Sequence, residues 1–455
     1  MTSYDLYHSK PGHTSDLAIF ETPRVNSAVE QIEIVRYKPV SALTEKPSVV
    51  DFQIANISPK YLDLSRSRLT VECKVVNGDN SAIVQDSMTE GVMSIPRESR
   101  VGLTNYTLHS MWSNVELSLQ NQVISPHVVN NYQYKAIIDA LCRNTLSPGE
   151  MAAAMFYRDD SEFMDDLNTG VSAGNPAQAK RRLMIQDSRR FIMSGVINHD
   201  ICHQGRLILN NLPLTLRLYP AKDEFVLVSS IDPEVSPPAA TFKLLITDVS
   251  FDVCYVKPSA SVLLSQDRVL RDDRKARYPY MRSVVKTVHV PKGSQTFAVD
   301  DIYSSYLPAD FYAVFVDSEA YVGKYNKYGY MFSHANVSRI GLYIDGQSKP
   351  QKPYETSFED DKWNKSTYMD AYMGLLGSNP EKCSISYQEF GEYYTIFRFE
   401  LDKYTDGVFP RPKRGHARLE VSFSKATDKN YTLVLYGLFS SLMEVDVSRN
   451  LYLTD

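Results

Sequence analysis

The sequence has 455 residues, long enough for two domains that each bury a core, and its charged (23%) and hydrophobic (43%) fractions are typical of soluble globular proteins. The formal net charge of −5 argues against a chain that coats nucleic acid, which would need clustered Lys and Arg. Thirty tyrosines and nineteen phenylalanines, with only two tryptophans, favour a mostly β chain.

The cysteine pattern predicts free thiols. Five cysteines, an odd number, are widely spaced and include no CxxC pair. This is typical of a reducing compartment, and we expect Cys73 and Cys254 to be small core residues. Because no basic-then-apolar leader opens the sequence, the prediction is a protein that is made and kept inside a cell.

The predicted elements begin after a polar segment. Residues 1–28 lack periodicity and are predicted to form an extended N-terminal arm. Beyond it, apolar and polar residues alternate strictly in several places, which indicates antiparallel strands with one buried and one wet face. The clearest runs are residues 68–75, 115–120, 214–218, 397–402 and 418–423. Many such strands predict β-sandwiches.

Two short helices with the same spacing suggest an internal duplication. Apolar residues recur at i, i+3, i+4 and i+7 from Tyr134 and again from Tyr368. A strand precedes each helix, at residues 115–122 and 340–347. Further strand pairs keep the same order, namely residues 61–71 with 306–316, 214–218 with 419–423, and 244–246 with 433–435. The collinear series predicts two copies of one β fold.

We therefore predict an all-β fold of two tandem antiparallel jelly-roll sandwiches, a double jelly roll, with short helices in its loops. The predicted divisions are an arm (1–28), a first jelly roll (29–262), a connector (263–277) and a second jelly roll (278–455). The connector is rich in Arg and Asp, and we expect a solvated helix that ends before Tyr278-Pro279. Residues 143–190 and 346–366 are predicted to be long polar loops.

The sequence resembles the major capsid proteins of Polinton (Maverick) elements and adintoviruses. The likeness covers nearly the whole length and depends on the order and spacing of several segments. They are Trp112 through Leu141 with Asn121 and Tyr134, Met164-Asp-Asp, Ala173-Gly-Asn, residues 207–218, Asp223-Glu-Phe, residues 277–282, Tyr343-Ile-Asp-Gly and residues 444–450. The sequence departs from the family pattern at Gln122, where an apolar or basic residue is expected, and Gly346 is retained in only one half.

The resemblance implies jelly rolls that stand perpendicular to an icosahedral capsid and form homotrimeric, pseudo-hexagonal capsomers. The implied partners are neighbouring capsomers and a penton or minor capsid protein. Sequence-specific nucleic acid is not expected, although packaged DNA could be contacted indirectly. The implied location is the virion capsid, assembled in the cytoplasm or nucleus of the host cell.

One motif could be a metal site. His199 and His203 flank Cys202, and on a helix the two imidazoles would share a face, as in zinc sites. The stretch before them is apolar and strand-like, and no Glu lies between them to act as a base. We interpret it as the end of a strand and predict no metal ligand, no cofactor and no catalytic residue.

Each charged run can be interpreted either as an exposed, solvated segment or as a functional site. Residues 159–166 hold five carboxylates that could bind Ca²⁺, but they lack the spacing of a calcium loop. The basic runs 180–182 and 189–190 could contact phosphate, yet salt links to other loops or subunits suit their acidic surroundings better. Residues 411–416 imitate a nuclear targeting run and are predicted to be an exposed turn.

Enzyme signatures are weak. Walker A, GxGxxG and HExxH motifs do not occur in the sequence. Residues 170–174 match GxSxG around Ser172, but polar residues replace the strand and helix that a nucleophile elbow needs. The alternating apolar residues Leu117, Leu119, Leu216, Phe399 and Val421 are predicted to be core. Besides a major capsid protein, a minor capsid protein, a lectin-like adhesive sandwich and a cupin-like metalloenzyme stay open.

Overall fold

In the computed structural model the chain forms two consecutive β-sandwiches. The structure describes residues 27–454 except 45, 57–58, 84–86, 90–91, 95–100, 125–129, 144–145, 158–174, 230–240, 304–305, 359–367 and 403–408. The predicted arm therefore lies outside the described residues apart from its last two.

The first sandwich contains two four-stranded sheets, with strand orders β1-β12-β3-β9 and β2-β10-β7-β8, and the small ribbons β6-β11 and β4-β5. Its strands are β1 (Val29–Tyr37), β2 (Val50–Ile54), β3 (Tyr61–Asn77), β4 (Ser87–Thr89), β5 (Val92–Ser94), β6 (Val101–Leu103), β7 (Trp112–Leu119), β8 (Gln122–Ile124), β9 (Phe191–Gly195), β10 (Leu214–Pro220), β11 (Leu227–Ser229) and β12 (Phe242–Pro258).

The second sandwich contains sheets of order β13-β22-β16-β19, with β23 added beside β22, and β14-β21-β17-β18, together with the ribbon β15-β20. Its strands are β13 (Ala276–Val290), β14 (Thr296–Val299), β15 (Tyr306–Leu307), β16 (Asp310–Asp317), β17 (Val337–Ile344), β18 (Gln347–Glu355), β19 (Ile396–Glu400), β20 (Lys413–Arg414), β21 (Ala417–Phe423), β22 (Tyr431–Val445) and β23 (Leu451–Thr454).

The two sandwiches have the same topology. If the eight main strands of each are numbered in chain order, both have sheets of order 1-8-3-6 and 2-7-4-5, with antiparallel neighbours throughout. Two Greek keys in two packed sheets make a jelly roll, so the predicted double jelly roll is confirmed. The segments compared in the sequence, 115–122 and 340–347, occupy equivalent places at the β7–β8 and β17–β18 hairpins.

Helices fill the connections between strands. They are α1 (Thr107–Ser110), α2 (Tyr132–Cys142), α3 (Pro148–Ala153), α4 (Pro176–Leu183), α5 (Asp223–Val226), α6 (Ala260–Arg271), α7 (Ser318–Val322), α8 (Met369–Leu376) and α9 (Tyr387–Glu392), with 3₁₀ turns at Gln186–Ser188, Asp200–His203 and Pro380–Lys382. The two helices predicted from Tyr134 and Tyr368 are α2 and α8, and each lies between the fifth and sixth main strands of its sandwich.

The predicted limits of the connector are wrong. The helix between the sandwiches, α6, starts at Ala260 and ends at Arg271, and strand β13 already includes Tyr278 and Pro279. Proline is compatible with this strand because β13 is at the edge of its sheet and pairs only with β22. Pro279 disfavours a helix directly before it, but α6 ends well before this proline.

The predicted polar loops also contain regular structure. Residues 347–355 form strand β18, which the sequence hides because most of its side chains are polar and exposed. Helices α3 and α4 lie within 143–190, and each begins at a side-chain cap, Ser147 for α3 and Asn175 for α4. Long helices are absent: no helix within the described part of the chain has the length and apolar character needed to cross a bilayer.

A continuous core runs through both sandwiches. The residues predicted to be core are at most 2% exposed, and so are Cys73 and Cys254. All five cysteines have free thiols. At the junction, side chains of α2 and of the Asp200–His203 turn face strands β13 and β22 of the second sandwich. Charged side chains, among them Lys135 and Asp200, are buried at this junction.

Candidate functional site

The site is built around a buried lysine on α2. Lys135 is 3% exposed, and its Nζ donates to Asn198 Oδ1 at 2.7 Å and to the Asn198 carbonyl at 3.1 Å. The same ammonium lies 3.1 Å from Asp139 and 3.3 Å from Asp200. An ammonium removed from water needs such partners because its desolvation costs several kcal/mol.

The two carboxylates connect the lysine to the second sandwich. Asp200 accepts hydrogen bonds from the Ser283 backbone N–H and from its hydroxyl, both at 2.7 Å. Asp139 accepts a hydrogen bond from the Tyr436 hydroxyl at 2.7 Å. We call Lys135, Asp139, Asp200, Ser283 and Tyr436 the polar seam; it ties α2 and the 200–203 turn to β13 and β22.

Lys135, Asp139 and Asp200 of the polar seam are ionised at neutral pH. Burial alone would raise the pKa of Asp200, but Lys135, His199 and the two bonds from Ser283 outweigh it and hold this pKa below its ordinary value. Burial is likewise outweighed at Asp139, whose pKa is lowered by Lys135, Arg143 and the Tyr436 hydroxyl. The pKa of Lys135 is raised, because the two carboxylates more than offset its burial.

A second ion pair lies near the polar seam, on the wall of the same cavity. Arg398 on β19 donates two parallel bonds to Asp310 on β16, both at 2.8 Å, and a further bond to the Leu375 carbonyl at 3.2 Å. Both pairs line a cavity of ≈ 540 Å³ between the sandwiches. Polar and charged side chains line this cavity together with apolar ones.

An aromatic contact fastens the sandwiches at another place. The segment that follows β16 places Tyr321, Tyr325 and Tyr330 against the first sandwich, and we call these three residues the tyrosine seam. Their hydroxyls donate to the Asn131 side chain (2.8 Å) and to the carbonyls of Phe242 (2.8 Å) and Gln133 (3.3 Å). The rings of Tyr321 and Tyr330 pack on Tyr134 of α2 at 5.3 and 6.0 Å.

The predicted strand end at His199 and His203 is wrong, since β9 ends at Gly195 and residues 200–203 form a 3₁₀ turn. His199 is 5% exposed and donates from Nε2 to the Ile124 carbonyl at 3.1 Å. His203 is an exposed residue on the wall of the cavity, with Nε2 3.1 Å from Asn198 Oδ1. The two imidazoles thus have different partners. No group of three or more metal-ligating side chains occurs within the described residues.

The first basic run has a structural role that the sequence did not indicate. Arg181 and Arg182 are at most 2% exposed, which excludes them from a phosphate-binding surface. Arg181 donates to the carbonyls of Leu103 and Tyr157, and Arg182 donates to the carbonyl of Val101. These two charged side chains donate hydrogen bonds to backbone carbonyls in and near β6. The sequence had predicted salt links to other loops or subunits for them.

The second basic run forms salt bridges within the chain, to a strand and to its own turn, where the prediction was links to other loops or subunits. Arg190 forms a salt bridge with Glu72 at 3.2 Å, and Arg189 lies 3.8 Å from Asp187. Within 411–416, Lys413 and Arg414 are exposed as predicted, although they form the short strand β20 rather than a turn. The acidic run 159–166 and Ser172 lie outside the described residues.

The polar seam itself was missed in the sequence. Lys135 and Asp139 on α2 and Arg143 at its C-cap recur at intervals of four, a pattern that usually marks a wet helix face. The signal that could have revealed it is their position on a helix whose other faces carry Tyr134, Ile138 and Leu141, because a helix that is apolar on several sides is buried.

The comparisons with known proteins concern the fold. No protein-family model matches the sequence. An uncharacterized protein of Caenorhabditis elegans is 23% identical over 420 residues, which cover 88% of this chain and 92% of that protein.

Solved structures of viral origin match over almost the full length. A chain in the cryo-EM structure of the Sputnik virophage has a TM-score of 0.63 at 12% identity and covers 98% of this chain and 93% of its own. The mavirus major capsid protein has a TM-score of 0.54 at 10% identity (100% and 95% covered). The faustovirus major capsid protein has a TM-score of 0.50 at 9% identity (95% and 94%). These matches show the double jelly-roll fold.

Proposed function

We propose that this chain is a major capsid protein, a structural subunit without catalytic activity that builds an icosahedral shell. The observation that carries the proposal is the pair of jelly rolls of identical strand order, joined by buried contacts. Full-length similarity in fold to the mavirus and faustovirus major capsid proteins supports it. The fold alone would not support a capsid function, since jelly rolls also serve as lectins and enzymes.

The geometry supports a trimer as the building block. Each chain offers two lobes of like topology, so three chains around an axis present six similar corners, and such a pseudo-hexagonal block can tile a shell. This requires the two lobes to keep a fixed mutual orientation. The polar and tyrosine seams supply that constraint through several independent hydrogen bonds.

The finer parts of the proposal follow from the sequence resemblance. The chain belongs with the capsid proteins of Polinton (Maverick) elements and adintoviruses, in double-stranded DNA viruses or virus-like transposons. Its partners are its own trimer, neighbouring capsomers and a penton or minor capsid protein, and contact with packaged DNA is indirect. It is located in the virion capsid after assembly inside the host cell.

Two alternatives to a major capsid protein remain: a minor capsid protein and a lectin-like adhesive sandwich. A lectin needs a ligand pocket on one lobe, where specificity comes from a few placed polar groups. The cavity lined by both ion pairs lies instead between the lobes, where Lys135 and Arg398 are already paired with carboxylates. This arrangement favours a subunit whose lobes must stay together.

The proposal is tested by the mass of the purified full chain. Obligate interfaces bury roughly 2,000 Å² or more, so we expect mass photometry at nanomolar concentration to show a trimer. Negative-stain images should show three-fold particles with a hexagonal outline. A stable monomer, or a dimer with two-fold symmetry, would refute the capsomer assignment, and sugar-array binding by that monomer would support the lectin alternative.

A further inference from the structure

Two free cysteines face each other across the junction of the sandwiches. Cys142 is the last residue of α2 in the first sandwich and is 4% exposed. Cys383 follows the Pro380–Lys382 turn in the second sandwich and is partly exposed. Burial, and after it the neighbouring Cys383 thiol, raises the pKa of Cys142.

The backbone holds this pair in place. The N–H of Ser384, directly after Cys383, donates to the carbonyl of Leu141, directly before Cys142, at 2.8 Å. The Ser384 hydroxyl donates to the same carbonyl at 3.2 Å. These two bonds hold residues 383 and 142 next to each other, and a disulfide requires such closeness.

We propose that Cys142 and Cys383 form a disulfide bond that locks the two sandwiches together when the chain meets an oxidising environment. The oxidant is a small-molecule disulfide such as oxidised glutathione. Bond formation itself does not depend on the proposed function. The use of this bond as a lock does depend on the proposed function, because a virion would acquire the bond when it leaves the reducing interior of a cell.

The exposures of the two sulfurs set the order of steps. The thiolate of Cys383, the more exposed residue, attacks the small disulfide, forms a mixed disulfide and releases one small thiolate. The Cys142 sulfur then attacks the Cys383 sulfur and displaces the second small thiolate, which takes up the Cys142 proton. Two protein thiols are oxidised and one small disulfide is reduced to two thiols, so electrons and protons balance.

Access to the buried partner is provided by the internal cavity. Cys142 lines the cavity between the sandwiches, as does Lys382 beside Cys383. Burial raises the pKa of Cys142, so this thiol stays protonated until its partner is activated. The guanidinium of Arg398, also on the cavity wall, acts in the opposite direction and favours the thiolate of Cys142.

The test is oxidation of the purified full chain. Reduced protein is incubated with oxidised glutathione at pH 8, remaining thiols are alkylated after denaturation, and peptides are mapped by mass spectrometry without reduction. We expect two of the five thiols to be lost, one peptide pair joined through Cys142 and Cys383, and a melting temperature that rises on oxidation and returns with dithiothreitol.

Two variants give the controls. Cys383→Ser is nearly isosteric at a partly exposed position and should abolish both the linked peptide and the rise in melting temperature. Cys202→Ala removes a different buried thiol and should leave both unchanged. Five alkylated thiols, glutathione retained on Cys383 alone, or a bond between two chains would each overturn the proposal. Because the readout is a bond within one chain, it is independent of whether the protein forms trimers.

Discussion

Lys135 is the single residue whose surroundings most constrain the junction. Its ammonium is enclosed by Asn198 and two carboxylates, and each carboxylate also accepts a bond from the other sandwich. A buried ion pair contributes little net stability compared with an apolar pair of the same shape, but it penalises every arrangement that leaves one charge unpaired. The polar seam therefore selects one mutual orientation of the lobes.

Removing one charge from the polar seam should be costly. Asp200→Asn keeps the shape of the side chain but removes a carboxylate from Lys135 and an acceptor from Ser283. We expect the free energy of unfolding to fall by about 3 kcal/mol, as for other broken buried pairs. Asp248→Asn is the matched control, because Asp248 pairs with Lys38 on the surface, where both side chains are about half exposed.

Denaturant titration of both variants measures the difference. The control should stay within about 1 kcal/mol of the parent, since exposed pairs contribute little. Equal losses in the two variants would contradict the assigned role of the polar seam.

Two buried histidines make stability depend on pH. Burial lowers the pKa of His109 to about 3 and that of His199 to about 4, below the ordinary value of 6.5. The folded state then binds fewer protons than the unfolded state, so stability is complete above pH 6.5 and declines as pH falls towards these values. At pH 5 each histidine should cost about 2 kcal/mol.

The pH dependence can be assigned with His199→Gln. Nδ1 of His199 is buried without a hydrogen-bond partner among the described residues, so a proton added there would have no acceptor. A glutamine can still donate to the Ile124 carbonyl but does not titrate. The melting temperature of this variant should drop less between pH 7.5 and pH 5 than that of the parent; an identical drop would be evidence against this origin.

At the scale of elements, the segment between β16 and β17 joins the sandwiches most tightly. Gly329 lies so close to Phe225 of α5 that an added Cβ would be 2.6 Å from a ring carbon. Gly323, which ends α7, has a φ of +100°, a region that favours glycine, and also approaches the backbone at Phe225. The close approach allows the rings of the tyrosine seam to reach the first sandwich.

A larger side chain at Gly329 should destabilise the segment between β16 and β17. We expect Gly329→Ala to lower the free energy of unfolding by roughly 1–3 kcal/mol, the usual cost of overpacking, and to raise hydrogen exchange in 318–335. Gly205→Ala is the control, since nothing lies within 4 Å of the Cβ it would add. Equal hydrogen exchange and equal free energies of unfolding in the two variants would contradict this role of Gly329.

The elements differ in how well the sequence predicts them. Strands β10 and β21 were predicted because each has one buried and one wetter face, so period two is visible. Strand β18 was not, because its exposed surface removes the apolar half of the pattern. The charges of α2 were misjudged for a related reason: local spacing cannot show that a second sandwich covers a helix face, and only tertiary packing decides that.

At the scale of the whole molecule, the two jelly rolls share a single core. Apolar contacts continue from the first sandwich into the second, and the tyrosine seam forms part of that continuity. Domains that meet through small polar surfaces move relative to one another, whereas a large apolar contact makes them one body. The sequence predicted the two lobes and gave no indication of how firmly they are joined.

Cooperative unfolding is the expected result. Differential scanning calorimetry of the full chain should show one transition for both sandwiches, because neither can unfold without exposing the shared core. The combined variant Asp200→Asn, Gly329→Ala should melt at a lower temperature. Two separate transitions in the parent protein would mean that the lobes are independent and would weaken the argument for a rigid block.

Strand β18 bears on how the chain avoids fibre formation when it accumulates. It is the outer strand of its sheet, a position that can add a strand from another molecule and start amyloid-like growth. Pro350 and Pro353 lack the N–H that such an addition needs, and the charge of Lys349 disfavours a second copy of the same edge. At high concentration these residues disfavour edge-to-edge aggregation. Contacts between chains are then made by side chains, and such contacts can break and re-form.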